Sequence, residues 1–426
     1  MAEEKQIANA EEERVIFTKE MKESYTILVP MMLPIHFKLL QTLFAIEGFH
    51  LEIIDTRDHR VIDKGLKYTH NDICYPAQLT IGQLMDALDS GKYDKHKVAL
   101  MLMQTGGGCR ASNYVRLLRK ALKKADLAYI PVVSLNYTGM EKDPGFDLSL
   151  KFIFKLIKAI VYGDLLMCLR NQLLPYEERE GSVDSLIRHW CDEISEQFKE
   201  GKGLAHDEIL VNMDRICRSF SQIKVTGEEK IKVGIVGEIY VKFAPLGNNN
   251  LEDFLHKEGA EVVVPGLLDF LLYTIDTHQE DRKLYGHSKA KAMIFSYLVK
   301  KFSQMQAEMN QAIAKYPNLR QASSFAHTKE LAQGYIHYGV KMGEGWLLTA
   351  EMLELLDSGV NNIVCTQPFG CLPNHICGRG MIRKIKEGNP GANIVAIDYD
   401  ASATKVNQEN RLKLMLATGR NLAKAQ

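Results

Sequence analysis

Three short segments put a cysteine where a strand-like run gives way to a helix-like one. They are Asp72-Ile73-Cys74-Tyr75-Pro76, Gly106-Gly107-Gly108-Cys109-Arg110 and Cys365-Thr366-Gln367-Pro368-Phe369-Gly370-Cys371. A thiolate at a helix N-terminus is stabilised by the free N–H groups and the positive end of the helix dipole. Metal-binding or cluster-binding cysteines need that environment, and buried structural cysteines do not.

Each block has its own local logic. Val98–Thr105 has the pattern of a buried strand, and Ala111–Lys124 that of a helix. Gly106, Gly107 and Gly108 between them let the backbone approach a ligand closely or adopt positive φ. The carboxyl end of a strand in an open α/β sheet is where ligands bind. A phosphate cradle is a second use of such a loop, but the lysine and hydroxyl of a P-loop are missing. Pro76 suits the first turn of the helix after Cys74. In the third block three cysteines fall within thirteen residues, Cys365, Cys371 and Cys377. Cys365 is expected to end its strand, Pro368 and Gly370 to shape a loop, and Pro373 to open a helix that places Cys371 near its start. Cys377 falls about a turn inside that helix. His375 is either a ligand or a hydrogen-bonding neighbour.

These intervals match neither a zinc finger or ribbon nor a ferredoxin run. Thiols so widely scattered converge only if two α/β units present them to one another, an arrangement that suits an iron–sulfur cluster tuned by burial and hydrogen bonds. Cys168, Cys191 and Cys217 sit in helical patterns and read as ordinary thiols. There is no Ser/His/Asp motif, no HExxH and no dinucleotide fingerprint. Glu238, at a strand end in Gly234-Ile235-Val236-Gly237-Glu238, is a candidate catalytic or polar site residue, with a plain loop role as the alternative.

The elements that must carry these residues alternate. Tyr25–Met32, Phe49–Asp55, Val98–Thr105 and Leu127–Leu135 read as strands, with helical patterns between them, including Leu79–Leu88. This predicts a parallel sheet covered on both faces. A second series begins at Ile231–Val241 and continues with Glu261–Pro265, Asn361–Cys365 and Asn393–Asp398, interrupted by a long helical pattern over Leu284–Ala314. Phe146–Asn171 and Ser182–Ser221 are helical throughout. The fold class is therefore α/β: two open parallel-sheet units with a mostly helical segment between them. The expected division is an N-terminal solvated arm over 1–21, a first α/β domain over 22–142, the helical segment over 143–226, and a second α/β domain with a helical insertion over 227–426. Gly201-Lys202-Gly203 and Gly227 are the boundary candidates.

Composition excludes some classes. The 426 residues carry 53 Lys+Arg and 53 Asp+Glu, so a general nucleic-acid binder, with its basic excess, is not expected. The run Arg110, Arg116, Arg119, Lys120, Lys123 and Lys124 reads as a solvated helix face. No apolar stretch spans a bilayer. Met1–Glu20 has no apolar core of a secretory signal. Eight cysteines without an export signal fit a reducing cytoplasm, where thiols bind metals or do chemistry.

At these residues the chain resembles the 2-hydroxyacyl-CoA dehydratase family, and in particular the branch that forms the C-terminal part of large activase-related proteins. The matching blocks are Asn71–Ala77, Gly106–Tyr114, Gly237–Phe243 with Asn248–Asn250, and Cys365–Ile376. The resemblance covers nearly the whole chain from about residue 22. It implies a [4Fe-4S] cluster held by cysteines of both α/β units. Cys74, Cys109 and Cys365 are the implied ligands and Cys371 the candidate for the fourth, with Cys377 ranked below them because an apolar residue is expected there. It implies a separate ATP-hydrolysing activator protein that injects one low-potential electron, and a homodimer or sister subunit. An acyl-CoA thioester, reduced to its ketyl form, would then lose its 3-proton and 2-hydroxyl. Related double-cubane proteins join two clusters through a sulfide and reduce small molecules instead. No residue here fixes a CoA site, and no actin-like phosphate loop is present. The expected functions are an iron–sulfur dehydratase or reductase, then a non-catalytic electron-transfer or activator-associated subunit, then a structural zinc protein, which the spacing disfavours.

Overall fold

The computed structural model describes residues 14–105, 108–135 and 143–425. Two four-stranded sheets organise it, and every pair within them is parallel. The first contains β1 (Thr26–Pro30), β2 (His50–Ile54), β3 (Val98–Met103) and β4 (Val132–Leu135), in the order β2-β1-β3-β4. The second contains β5 (Ile231–Gly237), β6 (Ala260–Val263), β7 (Asn362–Pro368) and β8 (Asn393–Tyr399), in the order β6-β5-β7-β8. Helices supply the crossovers, as parallel pairing requires. The α/β class with two parallel-sheet units is thus observed, and the two sheets repeat one strand order. In each, the order reverses beside the first strand, which creates the crevice at the strand carboxyl ends where such sheets bind ligands.

The chain divides into two compact units. One comprises the residues up to Met31 together with Phe44–Phe152, and the other comprises Met32–Leu43 together with everything from Ile153 onward. This differs from the sequence reading in three places. First, the helical segment is not a body of its own. Residues 143–152 join the first unit, where Phe146 and Phe152 pack on Phe44 and Phe49 with ring centroids 5.1–6.0 Å apart. From Ile153 the helices Leu150–Leu173, Ser182–Lys199 and His206–Ser221 belong with the second sheet. Second, Met32–Leu43 lies in the second unit although both flanks lie in the first. Buried His36 explains this, because its Nε2 lies 2.9 Å from Asp164 Oδ1. That carboxylate also accepts the N–H groups of Leu267 and Leu268, at 2.8 and 2.9 Å, at the start of the helix Leu267–Tyr285. Third, the expected N-terminal arm is not solvated throughout. Phe17 is fully buried, against Tyr25, and its carbonyl accepts the Gly145 N–H at 2.9 Å. Residues 1–13 lie outside the described part.

Glycines break the long helical patterns. Ser182–Ser221 is interrupted at Gly201 and Gly203, and the stretch before Ala314 splits at Gly286 into Leu267–Tyr285 and Lys289–Ala314. Among the described residues no helix is long and apolar enough to cross a membrane.

Candidate functional site

In the first unit, Cys74 is the residue immediately before the helix Tyr75–Asp89, with extended backbone and Pro76 in the first turn. Its carbonyl accepts from Ala77 and Gln78, at 3.0 and 3.3 Å, so the thiol stands at the positive end of a buried helix. The helix is locked against its neighbour Arg60–Tyr68: a Cβ on Gly82 would overlap the Val61 carbonyl, and one on Gly65 the Gln78 carbonyl.

Cys109 repeats the arrangement. Also extended, it precedes the short 3-10 turn Arg110–Asn113, which leads into the helix Tyr114–Lys124, and its carbonyl accepts from Ser112 N at 3.1 Å. Two side chains of the Cys109 turn and its helix reach the Cys74 loop. Tyr114 Oη lies 2.8 Å from Cys74 Sγ, and the Arg110 guanidinium donates to the Asp72 carbonyl. Gln104, buried at the end of β3, donates to the Ser112 carbonyl at 2.9 Å and accepts from Ser134 Oγ at 2.7 Å, tying the turn to the sheet. The structure therefore brings the Cys74 and Cys109 turns together. Gly108 is exposed, and the expectation for Gly106 and Gly107 falls outside the described residues.

In the second unit the third block resolves into three different thiols. Cys371 follows Gly370, which has φ +72°, and leads into a helical turn; its carbonyl accepts from His375 N at 3.1 Å. Cys74, Cys109 and Cys371 thus share one feature: each stands at the start of a helical turn and its carbonyl accepts that turn's first hydrogen bond. Cys74 and Cys371 also share a proline two residues on. The Cys371 turn carries three exposed apolar residues, Phe369, Leu372 and Ile376.

Cys365 requires a correction, because it does not end its strand. β7 continues for three more residues, since Thr366, Gln367 and Pro368 stay paired with Ile397, Asp398 and Tyr399 of β8. Its side chain is fully buried among Val236, Met352, Leu355, Ile363 and Ile385. Burial pushes its thiol up to about 12. The Cys377 thiol is likewise pushed up to about 11, by burial and then by Glu344. Cys377 lies inside the π-turn Asn374–Gly378, and His375 of the same turn is exposed.

Of the three helical thiols, Cys191 and Cys217 are buried and Cys168 partly so, and burial raises all three. Among the described residues no group of three or more His, Cys, Asp and Glu side chains is gathered as for a metal ion.

Glu238 stands at the carboxyl end of β5, the position that mirrors β1 in the first sheet. β5 stops there because Gly237 turns the chain with φ +146°, where a Cβ would overlap Thr366. Glu238 then caps the short helix Ile239–Phe243, accepting from Val241 N at 2.9 Å. Val241, taken with the strand in the sequence reading, belongs to this helix.

Sequence reasoning missed the groups around it. Glu344 accepts from Ile239 N at 2.9 Å, and Lys242 pairs with Glu351 at 2.9 Å, both side chains almost fully buried. Burial, then the nearby Glu344, raises the Glu238 carboxyl to about 8. Burial raises Glu344 and Glu351 as well. These partners lie more than a hundred residues away in sequence, so no local pattern announces them.

No protein-family model matches the chain, and no curated protein matches it.

Proposed function

We propose that this chain is an iron–sulfur protein of the 2-hydroxyacyl-CoA dehydratase type. In this reading Cys74, Cys109 and Cys371 hold a low-potential [4Fe-4S] cluster, charged with single electrons by a separate ATP-hydrolysing activator protein. The observation that carries it is the joined pair of turns in the first unit. Two cysteines from distant stretches of chain stand at helix starts, their turns bridged by Tyr114 and Arg110, and in the second unit the Cys371 carbonyl likewise accepts at the start of a helical turn. The donor chemistry fits such a group: thiols at the starts of helical turns, with the Tyr114 hydroxyl beside Cys74 to tune sulfur. When bound, the cluster supplies one-electron reduction at low potential.

Setting Cys365 aside as a core thiol favours an enzyme over a simple electron carrier. Held by three protein thiolates, such a cluster would have an iron available to a substrate oxygen, whereas a fourth thiolate would close it. The substrate is an acyl-CoA or another small molecule, and the Glu238 carboxyl, raised to about 8, is a group on the second sheet suited to proton transfer. A homodimer or a sister subunit is the expected assembly.

The test is iron and acid-labile sulfide content after strictly anaerobic purification, for the wild type and for Cys109→Ala. Near-stoichiometric iron in the first and at least a severalfold loss in the second are expected. A colourless wild type with stoichiometric zinc would sink the reading. Activator-dependent or dithionite-dependent turnover of a 2-hydroxyacyl-CoA then separates enzyme from carrier.

A further inference from the structure

The third cysteine block contains a buried side-chain clamp that the cluster reading does not use. Asn374 is fully buried between the turn that carries Cys371 and the strand behind it. Its Nδ2 donates to the Thr366 carbonyl, and its Oδ1 accepts from Cys365 Sγ at 3.4 Å. Both partners are residues of β7, so a single amide reads two adjacent strand positions. The carbonyl oxygen of that amide also excludes any side chain at Gly378, where a Cβ would overlap Asn374 Oδ1 and press on Cys365 Sγ. The surrounding turn is a π-turn, with Arg379 N bonded back to the Asn374 carbonyl. Such wide turns are rare and cluster at functional sites. Thr349 Oγ1 closes the far side by donating to the Cys377 carbonyl at 2.7 Å.

We infer that Cys365 and Asn374 form a positioning pair that fixes the Cys371 turn against β7, and that Cys365 is not itself a ligand. The thiol acts as a small hydrogen-bond donor in an apolar core, a use of cysteine that needs no ionisation. Asparagine is required at position 374 because the site asks for one donor and one acceptor, which a carboxylate or an aliphatic side chain cannot supply together. Glycine at 378 follows from the same contact. This inference rests on the proposed cluster only for what Cys371 does; the clamp stands on the hydrogen bonds alone.

The experiment has two readouts on the anaerobically purified chain. One is iron per chain, and the other is peptide-level amide hydrogen exchange over residues 369–379, which needs no cluster. Asn374→Ala is expected to speed exchange in that peptide about tenfold, as loss of one to two buried hydrogen bonds would, and to lower iron content. Cys365→Ser, which keeps a hydrogen-bond donor at this position, should leave exchange closer to the wild-type rate than Cys365→Ala does. Cys365→Ala should speed exchange yet retain more than about half the iron, whereas Cys371→Ala should lose the iron without speeding exchange to the level of Asn374→Ala. The inference is overturned if Cys365→Ala strips iron as completely as Cys371→Ala does, or if Asn374→Ala leaves the exchange unchanged. If the wild type binds no iron, the cluster reading fails while the exchange measurements still decide the clamp.

Discussion

The two sheets have one strand order and equip their carboxyl ends in different ways. In the first, the loops contribute thiols and the hydrogen-bonding side chains that join them: Cys74, Cys109, Tyr114 and Arg110. In the second, the loop after β7 contributes Cys371, and the end of β5 places Glu238 with Glu344 near the buried Lys242–Glu351 ion pair. Among the described residues, every carboxyl whose pKa is raised lies in the second unit: Glu238, Glu252, Asp269, Asp276, Glu344, Glu351 and Glu354. The comparison teaches that a shared topology sets where chemistry can sit and leaves its kind to the loops. One unit is built to offer thiols, and the other adds buried carboxyls that hold their protons above the usual carboxylate range.

Breaking the ionic group tests the second half of that contrast most severely. Lys242→Met leaves Glu351 buried without its cation and should cost about 3–5 kcal/mol, read as a lower urea midpoint. Adding Glu351→Leu should recover most of the loss, because an uncompensated buried charge costs more than an apolar pair. An additive double variant would mean that the two groups do not stabilise one another.

A pH-dependent effect should mark the same unit. The Glu238 carboxyl holds its proton more tightly folded than unfolded, since its folded value is raised to about 8 from near 4.5. Its stabilising contribution is therefore complete below about pH 4.5 and lost as pH rises through 8. Thermal scans from pH 5 to 9 should show melting temperature falling with pH, and Glu238→Gln should flatten that slope. A slope identical in the variant would remove Glu238 from the proton-holding group.

The smallest expected effect probes the first unit. Tyr114→Phe deletes the hydroxyl beside Cys74 and should cost about 0.5–1.5 kcal/mol in chemical denaturation, with no change in the pH slope of stability. A changed slope would blur the division of roles between the units.

Much of this was legible in the sequence. Proline two residues after Cys74 and Cys371, and glycines before Cys109 and Cys371, announce loops that turn into helices. β-branched and aliphatic runs announce the strands. Pro368 and Gly370 make Cys365 read as the end of its strand, while pairing with β8 along the whole of β7 holds Thr366, Gln367 and Pro368 in the sheet. Val241 was placed in a strand because Ile239-Tyr240-Val241 has strand-like residues, and the cap by Glu238 overrides that preference. The Lys242–Glu351 and Glu238–Glu344 groupings depend on contacts across more than a hundred residues, and no local periodicity encodes them.

The placement of Met32–Leu43 has a consequence for how the chain is made and cut. A stretch near the N-terminus is a structural part of the unit formed mostly by residues after 153, held there by His36 on Asp164. Neither unit is therefore a single continuous length of polypeptide, and no one cut yields two complete pieces. During synthesis the early segment has to wait for partners made more than a hundred residues later, so the first sheet can form from its own strands long before the second unit is complete.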